Sequence, residues 1–216
     1  MARHRPHYQR PHMRRSTILT VAGLCLAPVV IAATYAGQPL ALQPQSKLWI
    51  EGTSTIKVFS CSASSFDTKV ASSVPDAVAA VLAGTKAVES AQLTVPAANL
   101  DCKNGTMNEH MRKALKAKEN PTIVFRITAY DVAKATGGID GTAVGELTIG
   151  GVKKLVTVKA HAAPDASGAL RLTGTYPLKM TEFGLKPPSL MMNTIKVDEN
   201  VKVRFDLLLK GEVPKV

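Results

Sequence analysis

Glu51, Ser54 and His161 are the residue types from which a hydrolytic set could be assembled. A serine nucleophile needs a base within hydrogen-bond reach and a third group to orient that base. In many hydrolases it also needs a sharp strand-to-helix elbow. Ser54 lies instead in Gly52-Thr-Ser-Thr55, a turn sequence between two extended segments. His161 shares a strand face with Thr157 and Lys159, and its simplest reading is a solvent-facing imidazole. His110 and His161 are the two histidines past residue 36, and neither has metal-ligand spacing with a cysteine. Lys153-Lys154 at a hairpin reads as a solvated turn, with a phosphate contact as the weaker option. No catalytic residue and no metal ligand set are expected, and an enzyme is not.

Cys25, Cys61 and Cys102 carry the remaining reactive side chains. Cys25 falls in a processing segment. Arg3, Arg5, Arg10, Arg14 and Arg15 form a basic leader without an acid. Residues 18–33 are apolar, and Thr34-Tyr35-Ala36 supplies small residues where a signal peptidase cuts. The apolar core of about 16 residues is shorter than the roughly 20 that span a bilayer, and Pro28 interrupts it. Residues 1–36 therefore read as a signal peptide cleaved near Ala36, and a retained anchor is the alternative. The expected location is periplasmic or secreted. Thr17 spoils a twin-arginine motif, and Leu24 before Cys25 spoils a lipoprotein box. Export leaves Cys61 and Cys102 as the two cysteines in an oxidising compartment, where a disulfide is expected. A loop of about 40 residues closed this way is worth roughly 4 kcal/mol in the chain-entropy model.

Export also changes the charge argument. The whole chain has 27 Lys and Arg against 16 Asp and Glu, a net charge of +11. Without the five leader arginines, 22 basic residues face 16 acids. That mild excess suits a solvated surface or the anionic headgroups of an envelope membrane. Nucleic acid is not an expected partner, because the aromatics sit in alternating strands and not beside basic clusters.

The elements that must position any site are strands. Residues 37–46 read as a Pro/Gln-containing linker ahead of a single domain over 47–212. Residues 48–51, 56–61 and 88–95 read as extended. Ile123, Phe125, Ile127 and Ala129 share one strand face, against Thr122, Arg126, Thr128 and Tyr130. Residues 144–149 and 152–161 form a hairpin through Gly150-Gly151. Leu170, Leu172, Tyr176, Leu178 and Met180 oppose Arg171, Thr173, Thr175, Lys179 and Thr181. Val201, Val203, Phe205, Leu207 and Leu209 oppose Lys202, Arg204, Asp206 and Lys210. A period of two gives each strand one buried and one wet face. About eight such strands hide their edges best in a closed antiparallel barrel, wide enough to be filled or to hold one slender ligand. Two short helices interrupt them. One spans 75–82 with Pro75 in its first turn. The other starts at Thr106, where Thr106-Met-Asn-Glu109 reads as a capping box and Met107, Met111, Ala114 and Leu115 form an apolar stripe.

Several stretches together resemble the YceI-like family. They are Trp49-x-Glu-Gly-Thr-Ser-Thr-x-Lys-Val, Val95-Pro-Ala-Ala-Asn-Leu-Asp-Cys102, Met107-Asn-Glu-His-Met-Arg-Lys-Ala-Leu115 and Pro121-Thr-Ile-Val-Phe125. Gly145-Glu-Leu-Thr-Ile-Gly-Gly-Val-Lys-Lys154 and Tyr176-Pro-Leu-Lys-Met-Thr-Glu-Phe-Gly-Leu-Lys-Pro-Pro188 follow in order. The resemblance covers residues 48–209. It implies a mainly β, lipocalin-like barrel with an internal tunnel, holding a polyisoprenoid in some members, and no catalytic residue.

Alternation nominates Phe125, Leu147, Tyr176 and Phe205 as tunnel-lining residues. Met180 joins them as a ligand contact, and Phe183 and Met191 mark the expected mouth, where flexible thioethers suit a lipid tail. No cofactor is expected beyond a bound polyisoprenoid or quinone-type lipid. Three readings stay open: a carrier of a long-chain apolar lipid, an envelope interaction module with a filled barrel, and an enzyme of another type.

Overall fold

The computed structural model describes residues 37–190 and 194–212. The leader and residues 191–193 lie outside the described residues, and with them the expectations for cleavage near Ala36 and for Met191. The first half of the domain runs β1 (Leu40–Leu42), β2 (Lys47–Thr53), β3 (Val58–Ala63), β4 (Asp67–Ser72), α1 (Ala77–Leu82), β5 (Val88–Pro96) and β6 (Leu100–Asp101). It continues with α2 (Gly105–Ala114), β7 (Thr122–Ala135), β8 (Gly138–Ile149), β9 (Val152–Pro164) and β10 (Leu170–Lys179). The last strands are β11 (Ser189–Leu190), β12 (Ile195–Lys196) and β13 (Asn200–Gly211).

Eight wall positions close into an antiparallel barrel. β7, β8, β9, β10 and β13 are continuous. The other three positions are each built from two short strands. β1 and β2 share one edge of β13, through Leu42↔Leu209 and Phe205↔Leu48. β4 and β3 follow, through Leu40↔Val70 and Ile50↔Cys61. β5 and β6 complete the ring, through Val70↔Ala91 and Ala63↔Leu100. Closure leaves no long strand edge unpaired.

The segment expected as a linker, 37–46, therefore supplies a wall strand. Leu40 is buried at 3% exposure between β4 and β13. Three residues are too few to show a period of two, which is why the segment reads as irregular in sequence.

Both helices start differently from expectation. α1 begins after Asp76, whose carboxylate accepts from the Ala79 amide at 3.0 Å, and Pro75 precedes the cap. α2 begins after Asn104, whose side chain accepts from the Met107 amide at 3.0 Å. Asn outranks Thr as a cap, and Thr106 becomes an interior residue. Glu109 turns along the helix to Lys113 instead of back to a cap amide.

One strand changes face midway. β7 pairs Ile127 with Gly145 but Ala129 with Val144, so Thr128 is an extra residue in a β-bulge. The alternation flips there. Ala129 is exposed and Tyr130 turns inward, opposite to the sequence expectation, and Val132 follows Tyr130 to the inner face. The expected Gly150-Gly151 turn forms, with φ of 55° and 82° at its two residues, as a two-residue hairpin demands.

The core divides by height. Leu40, Val70, Ala77, Val81, Ile139 and Leu170 fill the end under α1. Leu147, Ile149, Leu178, Phe183, Leu185 and Val201 pack at the other end, beside the 3-10 turn Met180–Phe183.

Candidate functional site: an apolar lumen

Residues of both packed regions also line an open lumen of about 650 Å³ inside the barrel. That size lies within the roughly 300–1,000 Å³ of small-molecule sites. Leu48, Ile50, Leu93, Ile123, Val203 and Leu207 give it an aliphatic wall. Charged residues reach its boundary only where they are themselves exposed, at Lys57 and Asp131. The barrel is not filled by its own side chains, as an interaction module with a solid core would require.

Five sequence-nominated residues meet in this lumen: Phe125, Leu147, Tyr176, Met180 and Phe205. Burial, with a smaller contribution from Glu182, pushes the Tyr176 phenol above its ordinary pKa and keeps it neutral. Phe183 is not at a mouth. It is 1% exposed and anchors the Met180–Phe183 turn against Leu178, Leu185 and Val201. A bulky aromatic after a half-buried methionine looks the same in sequence whether it lines a portal or plugs a wall.

Three phenylalanine rings keep the bore open. Phe59, Phe125 and Phe205 each lie over an inward-facing glycine of the neighbouring strand. A methyl on Gly52, Gly145 or Gly174 would sit 2.4, 2.6 or 2.3 Å from a ring carbon. The rings thus occupy the space of missing side chains and lie along the wall.

The mouth is roofed by α2. Its N-terminal approach is tied to β3 by the Cys61–Cys102 disulfide, closing 41 residues. Its far end reaches the β8–β9 turn, where the Leu115 carbonyl lies beside Gly150. Met107, His110, Met111, Ala114 and Leu115 face the lumen, yet no residue of α2 is fully buried. The opposite lip is the β2–β3 turn with Ser54, Ile56 and Lys57, joined by Pro188, Ile195 and Val197. Ile56 and Lys57 were expected in a strand. Ser54 captures them in a turn, its hydroxyl donating to the Lys57 carbonyl at 2.9 Å.

Tyr130, Phe59 and the α2 residues were missed as site residues. The methionine stripe of α2 was visible in sequence, but not the cavity it would face. Tyr130 was hidden by the bulge. Its hydroxyl accepts from the Val88 amide at 2.9 Å, which fixes the ring across β5.

The residues with hydrolytic potential are dispersed. Glu51 accepts from the Trp49 indole at 2.9 Å and faces Arg204 at 2.8 Å. His161 pairs with Asp140 at 2.8 Å on the outer wall. No hydrogen bond joins Glu51, Ser54 and His161 among the described residues. Nor do those residues contain a cluster of three or more His, Cys, Asp or Glu that could hold a metal.

Solved structures share this fold. BcnA of Burkholderia cenocepacia is 24% identical, with 76% of this chain and 95% of that one covered and a TM-score of 0.59. A polyisoprenoid binding domain from Saccharophagus degradans, implicated in plant cell wall breakdown, is 11% identical, with 82% and 99% covered and a TM-score of 0.58. A Campylobacter jejuni YceI protein is 17% identical, with 69% and 82% covered and a TM-score of 0.52. No curated protein sequence matches the chain. The YceI-like domain matches residues 44–209, which takes in every wall strand from β2 to most of β13, and the chain belongs to that family.

Proposed function

We propose that this protein is an exported, non-catalytic carrier that holds a long, slender apolar molecule of the isoprenoid or quinone type inside its barrel. One observation carries the reading: an unfilled apolar lumen of about 650 Å³ lined by wall residues and by the inner face of α2. Each methylene moved from water into such a lumen gains about 0.8 kcal/mol. Micromolar binding needs about 8 kcal/mol beyond association costs of about 4 kcal/mol or more, so a chain of roughly fifteen or more buried methylenes is required. The structural likeness to a domain described as polyisoprenoid binding supports the ligand class. The basic leader with its short apolar core and the disulfide support a periplasmic or secreted site of action. An enzyme would need reactive groups at the lumen wall. Among the described residues, Tyr176 is the one titratable side chain with a shifted pKa that lines the lumen.

The test is titration of delipidated protein with polyprenols and quinones, alongside native mass spectrometry of protein taken from its own envelope. Saturable micromolar binding and a co-purifying lipid mass are expected. Absence of saturable binding by every chain length overturns the carrier reading.

A further inference from the structure

Three large apolar side chains stand exposed among the described residues: Ile56 at 64%, Val58 at 76% and Leu155 at 69%. Leu155 lies alone on the outer face of β9. Ile56 and Val58 differ, because they flank Lys57 at the tip of one hairpin and that tip is the lip of the lumen. Ile56 and Lys57 line the mouth and are exposed at once.

The tip is held in shape. The Thr55 amide donates to the Lys196 carbonyl at 3.0 Å, and the Thr55 hydroxyl donates to the Thr194 carbonyl at 3.2 Å. Ser54 bridges to Val197. An apolar tip braced on two sides does not fold back to bury itself.

Its surroundings are cationic. Lys57, Lys196 and, across the mouth before α2, Lys103 are exposed. None of the three makes an ion pair among the described residues. Two carboxylates on adjoining segments stay ionised, held by neutral amide donors, so three lysines against two acids leave a small positive excess. Asp101 accepts from Asn108 and the Lys103 amide, and Asp198 accepts from the Asn200 amide and side chain.

We propose that the Ile56–Lys57–Val58 tip docks on an anionic phospholipid surface, inserting its two aliphatic side chains and opening the lumen mouth onto the bilayer. Aliphatic side chains at headgroup depth beside lysines are the chemistry of interfacial binding, and each lysine near an anionic surface adds about fivefold in partition. A ligand too insoluble to cross water then passes between bilayer and barrel without exposure. The transfer step rests on the carrier reading above; the docking step does not.

The experiment uses the full chain, which has one tryptophan. In a Trp49→Phe background, Ile56→Trp and Leu155→Trp are compared on phosphatidylglycerol/phosphatidylethanolamine vesicles carrying brominated acyl chains. The indole at position 56 is expected to be quenched at least twofold, with little change at position 155. The local quenching identifies the face that touches lipid even if another part of the chain is membrane-bound. Replacing phosphatidylglycerol by phosphatidylcholine or raising the salt is expected to relieve it. Equal quenching at both positions, or none at position 56, overturns the docking surface. If quenching is absent and sedimentation shows an association broken by Val58→Glu, the tip covers a second copy of the chain instead. In a second arm, Val58→Glu, at a tip residue outside the lumen lining, is expected to slow polyprenol uptake from vesicles about fivefold, with an unchanged melting temperature and unchanged binding from detergent. Quenching at position 56 without polyprenol binding from any source removes the carrier reading and leaves the docking surface standing.

Discussion

The ring of Phe205 lies directly over Gly174, its antiparallel partner on β10. The same relationship joins Phe59 to Gly52 on facing positions of β3 and β2. Aromatic cover over a strand glycine restores the packing that the missing side chain forfeits. It also keeps a large ring out of the lumen. The bore therefore depends on the glycines as much as on the rings.

Gly52 gives the cleanest test of that dependence. The three atoms nearest a methyl there all belong to the Phe59 ring. At Gly174 and Gly145 a methyl also meets backbone carbonyls, of Lys159 at 2.6 Å and Arg126 at 2.5 Å. Gly52→Ala is expected to turn the Phe59 ring into the lumen, lowering polyprenol affinity about tenfold. The overpacking cost is about 1–3 kcal/mol in urea melts. Adding Phe59→Leu is expected to restore binding. Loss of binding that the second change does not rescue would show that the ring is not the obstruction.

Phe125→Trp and Phe205→Trp test whether the lumen is empty space. An unfilled bore accepts the larger ring, so stability should move by less than about 1 kcal/mol while ligand affinity falls about tenfold. A packed interior gives the opposite pattern, a loss of roughly 1–3 kcal/mol by overpacking. Denaturant melts and ligand titrations on the same samples separate the two.

The barrel was legible in sequence where strands are long. β10 and β13 alternate over ten and twelve residues, and their inward residues are Leu172, Tyr176, Val203 and Phe205 as expected. Period alone fixes a face when it runs unbroken. It fails where one residue is added, and Thr128 was enough to put Tyr130 on the unexpected side. It is silent for β1, whose three residues gain their place from β4 and β13. Phe183 shows a different failure. Its burial depends on how the Met180–Phe183 turn folds over β8 and β13, which no local pattern encodes. The pairing of Cys61 with Cys102 follows from the cysteine count, but the roof it tethers is set by how α2 lies across the barrel, which no local pattern encodes.

That tether predicts a local effect of reduction. Cys61 is 2% exposed and Cys102 half-buried, so reductant should enter through the Cys102 sulfur. Cys61→Ala/Cys102→Ala is expected to cost up to about 4 kcal/mol, the chain-entropy value for a loop of this length. The far-ultraviolet spectrum of the barrel should persist. Hydrogen exchange should quicken most in α2, which has no fully buried residue to hold it down. Uniform loss of protection across β7 to β10 would mean that the disulfide supports the whole barrel and not its roof.

The last prediction concerns acid stability and begins on the outer wall. Arg171 donates Nε to one Asp206 oxygen at 2.8 Å and a terminal nitrogen to the other at 2.5 Å, a two-point clasp between β10 and β13. The Arg171 hydrogen bond, with its charge, holds the Asp206 carboxyl below its reference value of 3.8. A carboxylate with a depressed folded pKa binds its proton more weakly in the native state than in the unfolded one. Its stabilisation is complete above the unfolded pKa, near 3.9, and is lost as pH falls through the lower folded value. Asp101, Asp165, Asp198 and Glu199 are shifted the same way by their own hydrogen bonds, so the wild type should lose stability steadily below about pH 4. Asp206→Asn should be less stable than wild type at pH 7 and lose less on acidification, so that the two melting curves converge toward pH 2. Parallel curves across that range would show that the clasp does not contribute to folding.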